Sequence, residues 1–229
     1  MEIKFLILTC KKNLETKAKS VLETWAAGQE LTFLSDYGNG NNIISFQIPA
    51  DYAFMSMRYS NYIKSLTDVE NDWYFFCDDD TFVNTLNLKS LLLNFNCNEP
   101  FYIGKKLLLT EKCLDSEGNY TGFPIHSLKG DRATLPLNYT SGGAGFALSK
   151  QSIIKLKDYL LACKDIPYSY NTDVTMGLWM RNCGVTVTEN DGFNTNTPIN
   201  HNHKKDKIKK SLTYHYLNTQ EMYYINEII

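Results

Sequence analysis

Asp78, Asp79 and Asp80 follow directly on the apolar run Trp73-Tyr74-Phe75-Phe76-Cys77. A short run of large apolar and aromatic side chains reads as a buried strand. Three carboxylates at the end of such a strand are costly unless water, hydrogen bonds or a cation meet them. Hard oxygen ligands suit Mg²⁺ or Mn²⁺. An Asp-x-Asp element in this position can hold the metal against a nucleotide diphosphate, with the ion stabilising charge on the leaving group. The plain alternative is an acidic turn in which Asp80 only caps a helix. Ligands gather at strand ends of open α/β sheets, which favours the metal reading.

Other candidates lie later in the chain. Ser141-Gly142-Gly143-Ala144-Gly145 lets backbone approach another group closely, as the floor of a sugar site or as an ordinary turn. It has no following Gly-Lys-Ser/Thr and no βαβ context, which excludes a P-loop or a dinucleotide fingerprint. Asp173 stands near the start of an expected helix. It either complements the helix dipole or serves as a general base toward an incoming hydroxyl. His215 lies in Leu212-Thr213-Tyr214-His215-Tyr216-Leu217, an apolar setting in which an imidazole needs a partner, and a metal is one. His126 and the His201-Asn202-His203 pair read as solvated or structural. Lys204, Lys205, Lys207, Lys209 and Lys210 read as a solvated basic run, or as a flap that attracts a diphosphate.

Strand and helix alternate in the first half. Strands are expected at 3–8, 31–34, 43–48 and 73–78. Helices are expected from 13 or 16 to 25, with Ala18, Val21, Leu22 and Trp25 on one face, from 51 to 66, and after Asn84 or Thr85. This is the pattern of a doubly wound α/β unit. Further strands are expected at 101–104 and 106–110, and helices at 150–162 and 172–181. The stretch 115–138 is polar and loop-like.

The chain has 229 residues, 43% of them hydrophobic, so one sizeable core in one domain is expected. The net charge of −2 gives no cationic field of the kind nucleic-acid binders carry. No apolar run reaches the ~20 residues of a membrane span, and the N-terminus does not read as a signal peptide. The six cysteines (Cys10, Cys77, Cys97, Cys113, Cys163, Cys183) show no zinc spacing and read as reduced thiols. The acceptor patterns at Asn119 and Asn138 carry no glycosylation without export.

Four segments in order resemble the Fringe-like glycosyltransferases (glycosyltransferase family 31), and within them the core 1 β1,3-galactosyltransferase branch. They are Lys17 to Trp25, Asp72 to Val83, Ser141 to Lys150, and Tyr214-His215-Tyr216 with Glu221-Met222-Tyr223. The resemblance implies a GT-A fold in a single domain over 1–229, with about 1–110 as the nucleotide-sugar half and 111–229 as the acceptor-binding and catalytic half. It implies a UDP-sugar donor, Mn²⁺ (or Mg²⁺), a glycan, glycopeptide or other hydroxyl acceptor, and inversion at the sugar carbon. By the same likeness, Asp78, Asp80 and His215 are metal ligands, and Asp173 is the catalytic base. Asp78, Asp79, Arg58, Gly142 and Gly143 face the donor, with Arg58 near its phosphates and Asp78 on the metal or the ribose. Family members usually carry a membrane anchor and work in the Golgi lumen. A soluble, cytoplasmic or host-cytoplasmic enzyme is expected if the chain is full length, a Golgi-lumen one if it is trimmed. The rival readings are a metal-dependent nucleotidyltransferase and a non-catalytic sugar-binding module on the same fold.

Overall fold

The structure is a computed structural model and describes residues 1–38, 40, 42–49, 51, 54–110, 135–169 and 171–229. In chain order, β1 is Ile3–Leu8, and a 3₁₀ turn at Lys11–Asn13 and a π-helical turn at Leu14–Ala18 lead into α1, Lys19–Glu23. Next come β2 (Glu30–Ser35), β3 (Ile43–Ser45), α2 (Met55–Ser65) and β4 (Trp73–Asp78). They are followed by β5 (Phe82–Val83), α3 (Thr85–Leu92), β6 (Tyr102–Gly104) and β7 (Lys106–Leu109). The rest holds β8 (Leu137–Thr140), β9 (Phe146–Ser149), α4 (Lys150–Ala162), α5 (Thr172–Asn182), β10 (Val187–Glu189), α6 (Lys205–Lys210), β11 (Thr213–Tyr214) and α7 (Thr219–Ile228).

Seven strands form the central sheet, in the order β10-β6-β9-β4-β1-β2-β3. Its core strands are mainly apolar because both faces are covered. In β1, Phe5 and Ile7 point to one core with Trp25, Phe33 and Phe75. Leu6 and Leu8 point to the other, with Tyr59, Ile63 and Phe76. That alternation is the two-residue period of a strand acting on a sequence with no polar face.

β1, β2 and β4 are parallel, so Leu8, Ser35 and Asp78 end at one edge of the sheet. β9 runs antiparallel to β4 and pairs Phe146 with Phe76. Its beginning, not its end, therefore meets the same edge, and this brings the glycine segment beside the aspartates. The sheet draws β9 and β10 from beyond residue 110, so it spans both sides of that boundary.

Three expectations need correction. The strand at 43–48 stops at Ser45, because Gln47 takes φ 58° and turns the chain out of the sheet toward Pro49. The helix expected to reach Trp25 is not regular: it starts with 3₁₀ and π turns, and its α-helical part ends at Glu23. Leu22 is exposed rather than buried, being one ~100° step past Val21 and outside the stripe that faces the sheet. The other helices lie close to where the pattern places them, and Asn84 caps α3 by accepting the Asn87 N–H at 3.1 Å. The five described cysteines are free thiols. Cys113, His126, Asn119 and most of 115–138 lie outside the described residues.

Candidate metal and transfer site

At the shared strand edge, ligand atoms of Asp78, Asp80 and His215 lie within 4.8 Å of one another. His215 Nε2 is 3.2 Å from Asp80 Oδ1 and 3.7 Å from Asp78 Oδ2. The histidine arrives from far along the chain because β11 pairs with β5, Tyr214 opposite Phe82. Main-chain bonds fix the junction: Leu217 N–H donates to Asp80 O at 3.1 Å. Thr213 Oγ1 donates to Ala144 O at 2.6 Å, and Thr81 Oγ1 to Gly143 O at 2.7 Å.

The glycines make room for these side chains. A Cβ on Gly143 would lie 1.9 Å from His215 Cε1, and one on Gly142 would lie 3.1 Å from Asp173 Cβ. Gly142 N–H donates weakly to Asp173 Oδ2 at 3.4 Å, and Val174 N–H donates to Oδ1 at 2.8 Å. Asp173 and Asp78 share a small hollow with Gly142, Gly143 and Thr172. Burial pushes the Asp173 carboxyl above its ordinary range, against the pull of those two amides. That makes it a stronger base than a free carboxylate.

The three aspartates differ in environment. Desolvation, with Asp80, Asp79 and Asp173 nearby, pushes Asp78 up to about 7 despite His215. Burial also raises Asp79, whose Oδ2 accepts from Thr9 Oγ1 at 2.7 Å and Asn13 Nδ2 at 2.9 Å. Asp80 is desolvated too, yet its partners His215 and Lys17 outweigh burial and hold it below the usual range. Lys17 Nζ is 2.8 Å from Asp80 Oδ2. Asp80 Oδ1 is buried, and its one near partner is His215 Nε2 at 3.2 Å. Two carboxylates, one with an orphaned oxygen, and an imidazole nitrogen converging on one point fit a divalent cation. An imidazole in the set favours a transition ion such as Mn²⁺ over Mg²⁺, which prefers oxygen throughout.

This arrangement has a signed pH consequence. A carboxyl near 7 in the fold and 3.8 when free contributes stability that is present below the lower value and lost as pH rises through the upper one. A cation needs the ionised form and offsets that loss. We expect Mn²⁺ to raise Tm more at about pH 7.5 than at about pH 5.5. Equal shifts at both would contradict the assignment of Asp78 as a ligand.

A cleft of about 760 Å³ opens beside the aspartates, lined among others by Thr9, Lys11, Asn13, Lys17, Asp36 and Asp78. That is ample for a nucleotide-sized ligand. Sequence reasoning offered Asn13 only as a helix cap and assigned no site role to Lys17, Thr9 or Asn13. The available signal was the spacing of Lys17 and Trp25, two helical turns apart: Lys17 holds the Asp80 carboxylate, while Trp25 Nε1 donates to the adjacent Thr81 O at 2.9 Å.

Arg58 is not in the cleft. It is fully buried, and its two terminal nitrogens donate to the carbonyls of Thr9, Leu34, Ile48 and Pro49. The expectation that it meets donor phosphates is corrected: its planar fork ties strand ends together behind the site. Arg58→Lys, with fewer donors and no fork, is expected to cost about 2–4 kcal/mol in urea denaturation. Unchanged stability would refute that role. His203 hydrogen-bonds Tyr214 through Nδ1 at 2.7 Å, and its ring stacks on His201. Lys204 to Lys210 form or adjoin α6, which is anchored by buried Ile208. Neither group joins the metal cluster. No described helix is long and apolar enough to cross a membrane.

A family model described as Fringe-like matches residues 1–228. A glycoprotein-N-acetylgalactosamine 3-beta-galactosyltransferase 1 of Xenopus laevis is 24% identical over 91% of this chain and 54% of its own length. A lunatic fringe beta-1,3-N-acetylglucosaminyltransferase of Danio rerio is 24% identical over 94% and 59%. A mouse beta-1,3-glucosyltransferase is 24% identical over 87% and 37%. The chain thus spans about half the length of these relatives. Among solved structures, the glycosyltransferase GlyE of Streptococcus pneumoniae superposes with a TM-score of 0.50 at 11% identity, over 99% of this chain and 60% of that one. The fold is the mixed α/β GT-A architecture.

Proposed function

Because the chain belongs to the Fringe-like family, we propose that it is an inverting glycosyltransferase. It moves a hexose or N-acetylhexosamine from a UDP-sugar to a hydroxyl of a glycan or glycosylated acceptor, in a β1,3 linkage. The observation that carries this reading is the meeting of the Asp78–Asp80–His215 group with Asp173 across Gly142 and Gly143.

Asp78, Asp80 and His215 would hold a divalent cation such as Mn²⁺, which would supply positive charge against the diphosphate. Asp173 takes the proton of the acceptor hydroxyl as that oxygen bonds to the anomeric carbon. The bond from that carbon to the diphosphate oxygen breaks, and UDP leaves with the electron pair. The amides of Gly142 and Val174 fix the Asp173 carboxylate. Asp79 braces the cleft wall through Thr9 and Asn13. Lys17 keeps Asp80 ionised and turned toward His215.

The test is a panel of UDP-galactose, UDP-glucose and UDP-N-acetylglucosamine with simple glycoside acceptors, scored for UDP release with Mn²⁺ and with chelator. Release that needs both a cation and an acceptor supports the reading. Tight UDP binding without release from any donor would instead favour a non-catalytic module.

A further inference from the structure

The basic run lies apart from the metal group. Lys204, Lys205, Lys207, Lys209 and Lys210 lie on or beside α6, all of them exposed, with only Asp206 among them to offset their charge. Several lysines elsewhere are paired: Lys4 with Glu30, Lys19 with Glu23, and Lys105 with Glu189 and Asp191. No salt bridge among the described residues uses any of the five, nor Lys89 on α3. The net charge of −2 therefore conceals a local excess of positive charge.

These lysines border an apolar row. An open groove of about 510 Å³ is lined by Lys207 and Lys210 of α6 and by Asn87, Ser90 and Leu91 of α3. Asp191 also lines it, but is held by Lys105 at 2.6 Å. The two helices are fixed to each other. Asn87 Nδ2 donates to the carbonyls of Lys209 at 2.7 Å and Ser211 at 3.1 Å, and Asn84 Nδ2 to that of Lys209 at 3.2 Å. Ser90 belongs to the outer stripe of α3, which Leu86, Lys89 and Leu93 complete at helical spacing. Leu86 is 72% exposed and Leu93 68%, about 10 Å apart along the axis. Ile199, 78% exposed, stands in the turn that leads into α6. Single exposed apolar residues are ordinary. A spaced row of them beside six unpaired lysines needs a partner that is both anionic and apolar.

We propose that this face docks on an anionic lipid bilayer, the lysines against the headgroups and Leu86 and Leu93 in the boundary beneath them. A bilayer supplies spread negative charge and, a few ångströms deeper, hydrocarbon. Lys89 sits between the two leucines, where its stem can lie along apolar surface while its charge stays outside. No ion pair fixes the direction of the ammoniums, which suits mobile headgroups better than the shaped surface of a folded partner. A soluble polyanion would use the lysines and leave the leucines in water.

The test is co-sedimentation of the full chain with vesicles of phosphatidylcholine alone, and of phosphatidylcholine with about one-third phosphatidylserine, at about 0.1 M and 0.5 M salt. Binding to the anionic vesicles should be at least about tenfold tighter than to the neutral ones, and should weaken in high salt. K207Q/K210Q should weaken it by about 10- to 30-fold, since each cation at such a surface contributes about a factor of five. L86S/L93S should weaken it by at least about fivefold, yet elute from a heparin column at the same salt as the unaltered protein. Equal binding to both kinds of vesicle, or binding to neither, would overturn the proposal. Leucine variants that bind vesicles like the unaltered protein would also overturn it, and would make the face a polyanion site instead. Neither double variant touches the metal group, so UDP release with a soluble acceptor should be unchanged in both. The membrane proposal can thus fail while the nucleotide-sugar reading stands.

Discussion

Replacing Asp173 with Asn is expected to slow sugar transfer by about 10²–10⁴-fold while leaving UDP affinity within about twofold. The two side chains have the same shape, and Asn still accepts the Val174 N–H that holds Asp173 Oδ1. Its NH₂ replaces the oxygen that the Gly142 N–H meets only weakly, at 3.4 Å, so the main loss is the site for a proton. The pH profile gives a second readout. Burial raises the Asp173 carboxyl, so the rate of the unaltered protein should fall as pH drops through that raised value. The Asn variant should lack this limb. Full retention of transfer in D173N would sink the base assignment.

The second large effect comes from a single methyl group. Gly143→Ala places a Cβ inside the His215 ring's own volume, 1.9 Å from Cε1. The Gly143 backbone is tied by its carbonyl to Thr81 Oγ1, so the imidazole is the part that yields. We expect Mn²⁺ affinity to fall by at least about 10²-fold, and Mn²⁺-dependent UDP binding with it. His215→Ala should give the same loss, and the G143A/H215A pair should be no worse than either alone, because both changes remove one ligand. Manganese titration followed by magnetic resonance measures all three. If G143A kept its affinity while H215A lost it, the steric account would be wrong.

The sheet was largely legible because its strands are short apolar runs separated by turn residues, and burial on both faces leaves no other reading. The composition of Asp78 to Asp80 after such a run pointed to a cation. That reading alone stopped at a metal-dependent site for a phosphorylated ligand. The pairing of those aspartates with His215, and the place of Asp173, came from motif order, since residues 135 positions apart share no local pattern. Lys17, Thr9 and Asn13 were not legible as site residues for the same reason. Each is one polar residue in a turn or irregular helix, and its partner in the triplet lies more than 60 positions away. Arg58 was misplaced because charge type was matched without asking what a guanidinium can do in a core. Five donors in a plane can satisfy main-chain carbonyls as well as phosphate oxygens.

The pairing of β11 with β5 also sets when the protein becomes competent. The aspartates are made before the imidazole that completes their group, which is attached only after Thr213 and Tyr214 have left the ribosome and found Phe82 and Val83. Until then a nascent chain carries the acidic cluster without its third ligand. Tight cation capture, and any activity that depends on it, should therefore appear only once β11 has been made and has paired with β5. A polypeptide arrested before position 213 would hold all seven strands of the central sheet and lack the third ligand.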